Sequence, residues 1–281
     1  MNLCLELLRV NGISPLRAYA EIRTLCDRMK ANFIVSALVS ATFAALSCLP
    51  VSGQEISKLI ENADKLDLQE EKDAALQILK QAEQISPNDP RVVIRLSQDY
   101  SDKVDIAKDR SQKLNFAKLS LEYAKRAVQL APENSDAHSA LAVAYGRMTD
   151  FVGNRTKIQY SKIIKSEAER SIELNPKNDT ALLVLARWNL DMSTLNPILK
   201  GIAQLIYGQM PPASQDKALE YFQRAIAAAP QRVLYHAEYA KALEQLGRTQ
   251  EARAQWQKAR QLKPIDPADR EAQAEAARKG A

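Results

Sequence analysis

Glycine is scarce in this chain, 8 residues among 281. Few positions can therefore supply the positive φ of tight turns. The abundant Ala, Leu, Lys, Glu, Gln and Arg lose little freedom in a helix. Alternating Val, Ile and Thr runs bounded by Gly or Asn-Gly are missing too, which argues against strands. Cysteine stops at Cys48, so everything from Val51 onward lacks a disulfide, a thiol nucleophile and a thiolate metal site. The two histidines, His138 and His236, fit no His-Glu-x-x-His spacing, and no Gly-rich phosphate loop or Gly-x-Ser-x-Gly elbow is present. A catalytic site needs a converging nucleophile, base and oxyanion donor. Nothing here supplies that set, so the chain reads as a non-enzyme without cofactor or metal. Its net charge of +5 is modest, and acids are interleaved with bases almost throughout. That pattern argues against a nucleic-acid partner, which calls for a basic stripe.

What is present begins with an export-like segment. Residues 29–53, "MKANFIVSALVSATFAALSCLPVSG", join the basic Lys30 to an apolar run and then to Pro50 and small residues. This is the order of a secretory signal, with cleavage expected before Gln54. Residues 1–28 are read as an over-extended reading frame, with Met29 the expected initiator. Two alternatives stay open: an uncleaved anchor through residues 31–49, whose length is close to that of a bilayer span, and lipidation of Cys48. The expected location is exported, periplasmic or secreted, or membrane-anchored through 31–49.

The body is punctuated by Pro87, Pro132, Pro176, Pro230 and Pro264, in "AEQISP", "AVQLAP", "SIELNP", "AIAAAP" and "ARQLKP". Five residues before each proline stands Ala82, Ala127, Ser171, Ala225 or Ala259. Eight before stands Leu79, Ala124, Ala168, Phe222 or Trp256. Small and large residues at helical spacing, closed by proline, resemble the tetratricopeptide repeat. Small residues let two helices approach, larger ones fill the spaces, and the proline ends the second helix. The expected fold is all-α: a tetratricopeptide-like solenoid of about five antiparallel helix pairs over 54–264, with 265–281 as a polar capping helix. Only the Pro230–Pro264 interval matches the usual period of about 34, so the middle repeats carry insertions. The largest holds "NPILKGIAQLIYG", expected as an extra apolar-faced helix.

Those irregularities carry a family likeness. The run Gly153 to Ile158, the Lys165 helix, Arg187-Trp188, the Ile206-Tyr207-Gly208…Pro211 element and Ala218 to Ala225 ("ALEYFQRA") resemble the regulator of microtubule dynamics family. Ala186 replaces a glycine expected from that family, and Glu167 replaces a frequent histidine. The resemblance implies a non-enzymatic helical-repeat protein. Its eukaryotic members look like adaptors linked to microtubules, organelle contacts and lipid binding. An export signal ahead of the domain is more similar to bacterial members.

In a repeat solenoid the first helix of each pair lines the concave binding face. Counting four, seven, eleven and fourteen residues past each proline places Arg91, Gln98, Leu183, Arg187, Leu190, Leu234 and Lys241 on that face. Arg91, Arg187 and Lys241 beside apolar residues would suit an acidic peptide or a C-terminal carboxylate. They would equally suit an anionic lipid-like ligand whose tail lies on Leu183, Leu190 and Leu234. Trp188 is a candidate anchor or a core residue. Arg155, Lys157, Lys162 and Lys165, with Arg147, form a candidate basic patch for acidic headgroups, set against a merely solvated face. The expected function is an adaptor for a protein or peptide partner, with a carrier of an anionic lipid-like ligand as the alternative.

Overall fold

The computed structural model describes residues 53–69 and 71–279. The extension expected at 1–28, and the signal or anchor expected at 29–53 apart from Gly53 itself, lie outside the described residues.

Twelve α-helices and no strand occur among the described residues. They are α1 (Gly53–Leu68), α2 (Lys72–Ile85), α3 (Pro90–Ile106), α4 (Arg110–Leu130), α5 (Ser135–Met148) and α6 (Asn154–Leu174). After these come α7 (Asp179–Ser193), α8 (Pro197–Tyr207), α9 (Gln215–Ala228), α10 (Val233–Gln245), α11 (Thr249–Gln261) and α12 (Pro267–Lys279). The hairpins are α1/α2, α3/α4, α5/α6, α7/α9 and α10/α11, with α8 inserted into the fourth and laid against α6. The C-terminal helix α12 packs on α10 and α11. No described helix is long and apolar enough to cross a membrane.

The turns between hairpins follow from short-range chemistry. Two residues after the first three prolines stand Asp89, Asn134 and Asn178, each an N-cap whose side chain accepts from backbone N–H groups of the next helix. One proline thus ends a helix and the next polar residue starts its successor. The fourth turn differs. Arg232 occupies the N-cap of α10 without a side-chain cap, and Asp269 of α12 accepts from the Leu234 N–H at 2.9 Å instead. The last repeat is therefore capped from outside, which fastens α12 to it.

The small residues of the repeat lie where helices meet. Ala82, Ala127, Ser171, Ala225 and Ala259 are fully buried, as are Ala75, Ser120 and Ala218. Where serine replaces alanine, the close approach is used for reciprocal bonds. Ser120 and Ser97 each donate to the other's carbonyl, at 2.9 and 3.0 Å, and Ser135 and Ser171 do the same at 2.9 Å. The eighth-before positions fill the layers: Leu79 and Phe222 are buried, with Phe222 stacked 5.5 Å from Tyr239. Burying a side chain of that size stabilises by roughly 2–3 kcal/mol.

The insertion is ordered by the same rules. Asn196 caps α8 by accepting from Leu199, Pro197 follows at the first helical position, and Gly208 ends the helix with φ 78°. Ala203, Trp188, Met192 and Ile158 form the layer beneath it. The Trp188 indole donates to the Ser161 carbonyl at 2.9 Å, satisfying its one polar group.

The solenoid curls far enough for its ends to meet. Arg270 of α12 donates to the Leu68 carbonyl at 2.5 Å and the Asp67 carbonyl at 3.1 Å, at the C-terminal end of α1. Helix C-terminal carbonyls lack intrahelical donors and carry partial negative charge, so an arginine suits them.

Candidate functional site

The inner helices α3, α5, α7 and α10 enclose a groove of about 740 Å³. Its wall takes Gln98 and Ser101 from α3, Ser139, Val143 and Gly146 from α5, Thr180, Leu183 and Arg187 from α7, and Leu234 from α10. Asp266 and Ala268, around the start of α12, complete the wall opposite Arg95 and Asp102 of α3. One end is largely apolar, where Ile158, Ile164, Val184, Trp188, Met192, Leu195 and Leu199 come from α6, α7, the turn after it and α8, with Lys157 and Asp191 beside them. The other end is polar and charged.

Of the residues placed on this face by counting, Gln98, Leu183, Arg187 and Leu234 line the groove. Three do not. Arg91 folds back onto its own N-cap Asp89 at 2.7 Å and reaches Ser57 of α1 at 2.8 Å. Leu190 turns into the core shared by α7, α9 and α10 and is buried. Lys241 bridges Glu238 at 3.2 Å and Glu275 of α12 at 2.6 Å, so the capping helix claims it. Arg91, Arg187 and Lys241 therefore do not share one anion-binding groove. Trp188 touches the apolar end of the groove, but its ring is core.

The groove's arginines come with their own carboxylates. Arg95 meets Asp64 at 2.7 Å and also Asp67. Arg147 clasps both oxygens of Asp105 at 2.7 Å and donates to Ser101 at 3.0 Å. Arg187 donates from Nε to Glu238 at 2.7 Å, and Arg232 pairs with Asp266. Burial works to raise the Glu238 carboxyl, but the charges of Arg187 and Lys241 outweigh it and hold the group below its usual range. Burial raises Asp191 and Asp102, which also face the groove. Lys157 is a groove cation in no ion pair among the described residues.

The basic patch is smaller than its sequence suggests. Arg147 leaves it for Asp105, and Lys165 pairs with Glu169 while standing 5.5 Å from the Trp188 ring. Arg155, Lys157 and Lys162 remain in no ion pair among the described residues. Among the histidines, His138 sets Nδ1 2.6 Å from Glu167 and Nε2 2.8 Å from the Pro132 carbonyl. Glu167 thus serves as a packing partner across the α5/α6 hairpin. His236 places Nδ1 2.7 Å from Gln255. No group of three or more His, Cys, Asp or Glu residues suited to a metal occurs among the described residues.

Counting four, seven, eleven and fourteen past each proline misses Arg95, Asp102, Arg147, Arg232, Asp266 and Ala268. Arg95, Asp102 and Arg147 stand four residues past Arg91, Gln98 and Val143, on the flank of the same helix stripe, where a wider reading of the 3.6-residue period would have found them. Arg232, Asp266 and Ala268 come from the turn before α10 and the region around the start of α12, for which that period carries no signal.

The family model for regulator of microtubule dynamics proteins 1–3 matches residues 59–279. The chain belongs to the regulator of microtubule dynamics family. It is 28% identical over 179 residues to regulator of microtubule dynamics protein 3 of Xenopus laevis, covering 63% of this chain and 39% of that one. It is 29% identical over 196 residues to protein 1 of Bos taurus, covering 69% of this chain and 59% of the relative. The chain thus matches less than two thirds of the length of these relatives. Among solved structures, a tetratricopeptide-repeat protein of Thermus thermophilus superposes with a TM-score of 0.56 at 21% identity, covering 79% of this chain and 98% of the other. That likeness establishes the helical-repeat fold for this member of the regulator of microtubule dynamics family.

Proposed function

We propose that this regulator of microtubule dynamics family member is a non-enzymatic adaptor that holds a segment of a protein partner in its concave groove. The observation that carries the reading is the groove's construction. Four inner helices and the region around the start of α12 line one concavity with a polar end and an apolar end, and its arginines are already neutralised by carboxylates of the same chain. Such a wall does not recruit by net charge. It selects by shape, by hydrogen bonds from Gln98, Ser101, Ser139 and Thr180, and by an apolar side chain entering beside Leu183 and Val184. An extended peptide fits this better than an acidic one, because an incoming carboxylate would have to displace Glu238 or Asp105 from its arginine. The export-like segment read in the sequence at 29–53 supports a partner in the cell envelope.

A second reading is favoured by the apolar end itself. Its lining from α6, α7 and α8 suits the chain of an amphiphile, which would make the protein a carrier. One experiment separates the two. The full chain is isolated from its native membrane and soluble fractions, wild type beside Val143→Glu. Co-purifying protein is identified, and native mass spectra read bound lipid. The adaptor reading expects a protein that is lost with Val143→Glu. The same protein retained by the variant contradicts it, and a lipid adduct lost with the variant would favour the carrier.

A further inference from the structure

Helix α8 presents more apolar surface than its packing covers. Its inner side, around Ala203 and Ile206, meets the layer formed by α6 and α7. Ile198 and Leu205, seven residues apart, are 73% and 87% exposed, the highest values among the exposed large apolar side chains of the described residues. At about 100° per residue they stand almost in line along one edge of the exposed half of the helix, with half-buried Ile202 and Gly201 adjoining them. Lys200 and Gln204 occupy the other edge.

The surroundings are rich in bases, and Glu169, the acid whose charge reaches Tyr207, is paired with Lys165. No Asp or Glu occurs between Asp191 and Asp216, or between Asp150 and Glu167 in the first half of α6. Arg155 and Lys162, seven residues apart on one face of α6, rise from that half of the helix, and Lys162 Nζ is 5.9 Å from the ring of Tyr207 at the end of α8, whereas Lys157 lines the groove. Neither Arg155 nor Lys162, nor Lys200, is in an ion pair among the described residues.

We infer that α8 is an interfacial helix that docks this domain on an anionic bilayer surface. Ile198 and Leu205 enter the boundary between headgroups and acyl chains, while Lys200, Lys162 and Arg155 meet acidic headgroups. An apolar edge combined with unneutralised cations on one short surface helix is the chemistry such a boundary recognises. Area argues against a second copy or a protein partner on this ridge. An 11-residue helix is about 16 Å long, so an exposed flank about 10 Å wide is on the order of 160 Å², against about 800 Å² per partner in a stable interface. The inference is independent of what fills the groove.

The test is hydrogen exchange read locally over α8 in the full chain. The protein is mixed with vesicles of phosphatidylcholine alone or of phosphatidylcholine with phosphatidylglycerol. Wild type should show several-fold slower exchange at 197–207 with the anionic vesicles and no change with the neutral ones. The double variant Ile198→Ser/Leu205→Ser should lose that slowing while exchange elsewhere stays as in wild type, which verifies its fold. Reading α8 directly keeps any insertion of residues 31–49 from being mistaken for the result. Unchanged α8 exchange with anionic vesicles overturns the proposal. So does equal slowing with neutral vesicles, or slowing that grows with protein concentration when no vesicles are present.

Discussion

Arg270 on the last helix donates to the backbone carbonyl of Leu68 at the end of the first, 2.5 Å away, across most of the described chain. This contact joins the two ends of the described solenoid next to the groove wall that Asp266 and Ala268 form. Replacing Arg270 with Ala removes charge-assisted bonds worth roughly 1.5–3 kcal/mol and frees the ends. Helix content by circular dichroism should stay unchanged, whereas the radius of gyration from small-angle X-ray scattering should rise. An unaltered radius would mean that the ends are held by something else.

Asp99 is fully buried, and neither carboxylate oxygen has a hydrogen-bond partner among the described residues. Burial first, and then the neighbouring charge of Asp67, raise it to about 7, with Lys103, Arg95 and Lys72 acting against them. In the unfolded chain it titrates near 3.9. Between those values the folded state keeps a proton that the unfolded state has lost, so stability falls as pH rises through the window and stays reduced above it. Asp99→Asn never ionises. Its stability relative to wild type should grow by roughly 2–4 kcal/mol from pH 4 to pH 8, measured by urea unfolding. A pH-independent difference would show that Asp99 is already ionised at pH 4.

Glu238 is buried and shared by Arg187 and Lys241. Arg187→Ala leaves that carboxylate with Lys241 as its remaining cation and should cost roughly 1–3 kcal/mol. Because a pair is being broken, the double variant Arg187→Ala/Glu238→Gln should recover most of the loss. Chemical denaturation of the wild type, both single variants and the double variant gives the coupling. Additive effects would show that the pair is not a structural unit.

The legible part of this molecule was the repeat. Prolines and the small residues before them placed the hairpins, because a helix end and a close helix contact are short-range requirements written into a few adjacent residues. The insertion was legible for the same reason, since Asn196 and Pro197 mark a start and Gly208 an end. The groove was legible only near its middle. Gln98, Leu183 and Arg187 follow the inner-face spacing, but Arg91 is claimed by its own cap and Lys241 by α12. Leu190 is drawn into the core where α7 meets α9 and α10. Arg91 fails through a neighbour two residues away, whereas Lys241 and Leu190 fail through contacts with distant elements, which periodicity along one helix does not encode. The Arg270 closure belongs to that class.

Overpacking offers a direct check on the close helix contacts. Ala225 is fully buried on α9, in the layer that includes Phe222 and Tyr239. Ala225→Leu should destabilise by roughly 1–3 kcal/mol or more, whereas Ala254→Leu, at an exposed position on α11, should change stability by less than about 0.5 kcal/mol. Differential scanning calorimetry of the two variants measures the contrast. Equal melting temperatures would contradict the tight approach at Ala225.

The closed concave groove is the proposed binding surface. The most direct measurement places a photo-reactive residue at Gln98 or Val143 inside the groove, or at exposed Glu122 on α4, in the full chain expressed in its native cells. Both groove positions should crosslink to one protein, Glu122 should not, and the crosslinks should disappear with Leu183→Glu. Crosslinks of equal yield and identity from Glu122, or groove crosslinks that survive Leu183→Glu, would contradict it.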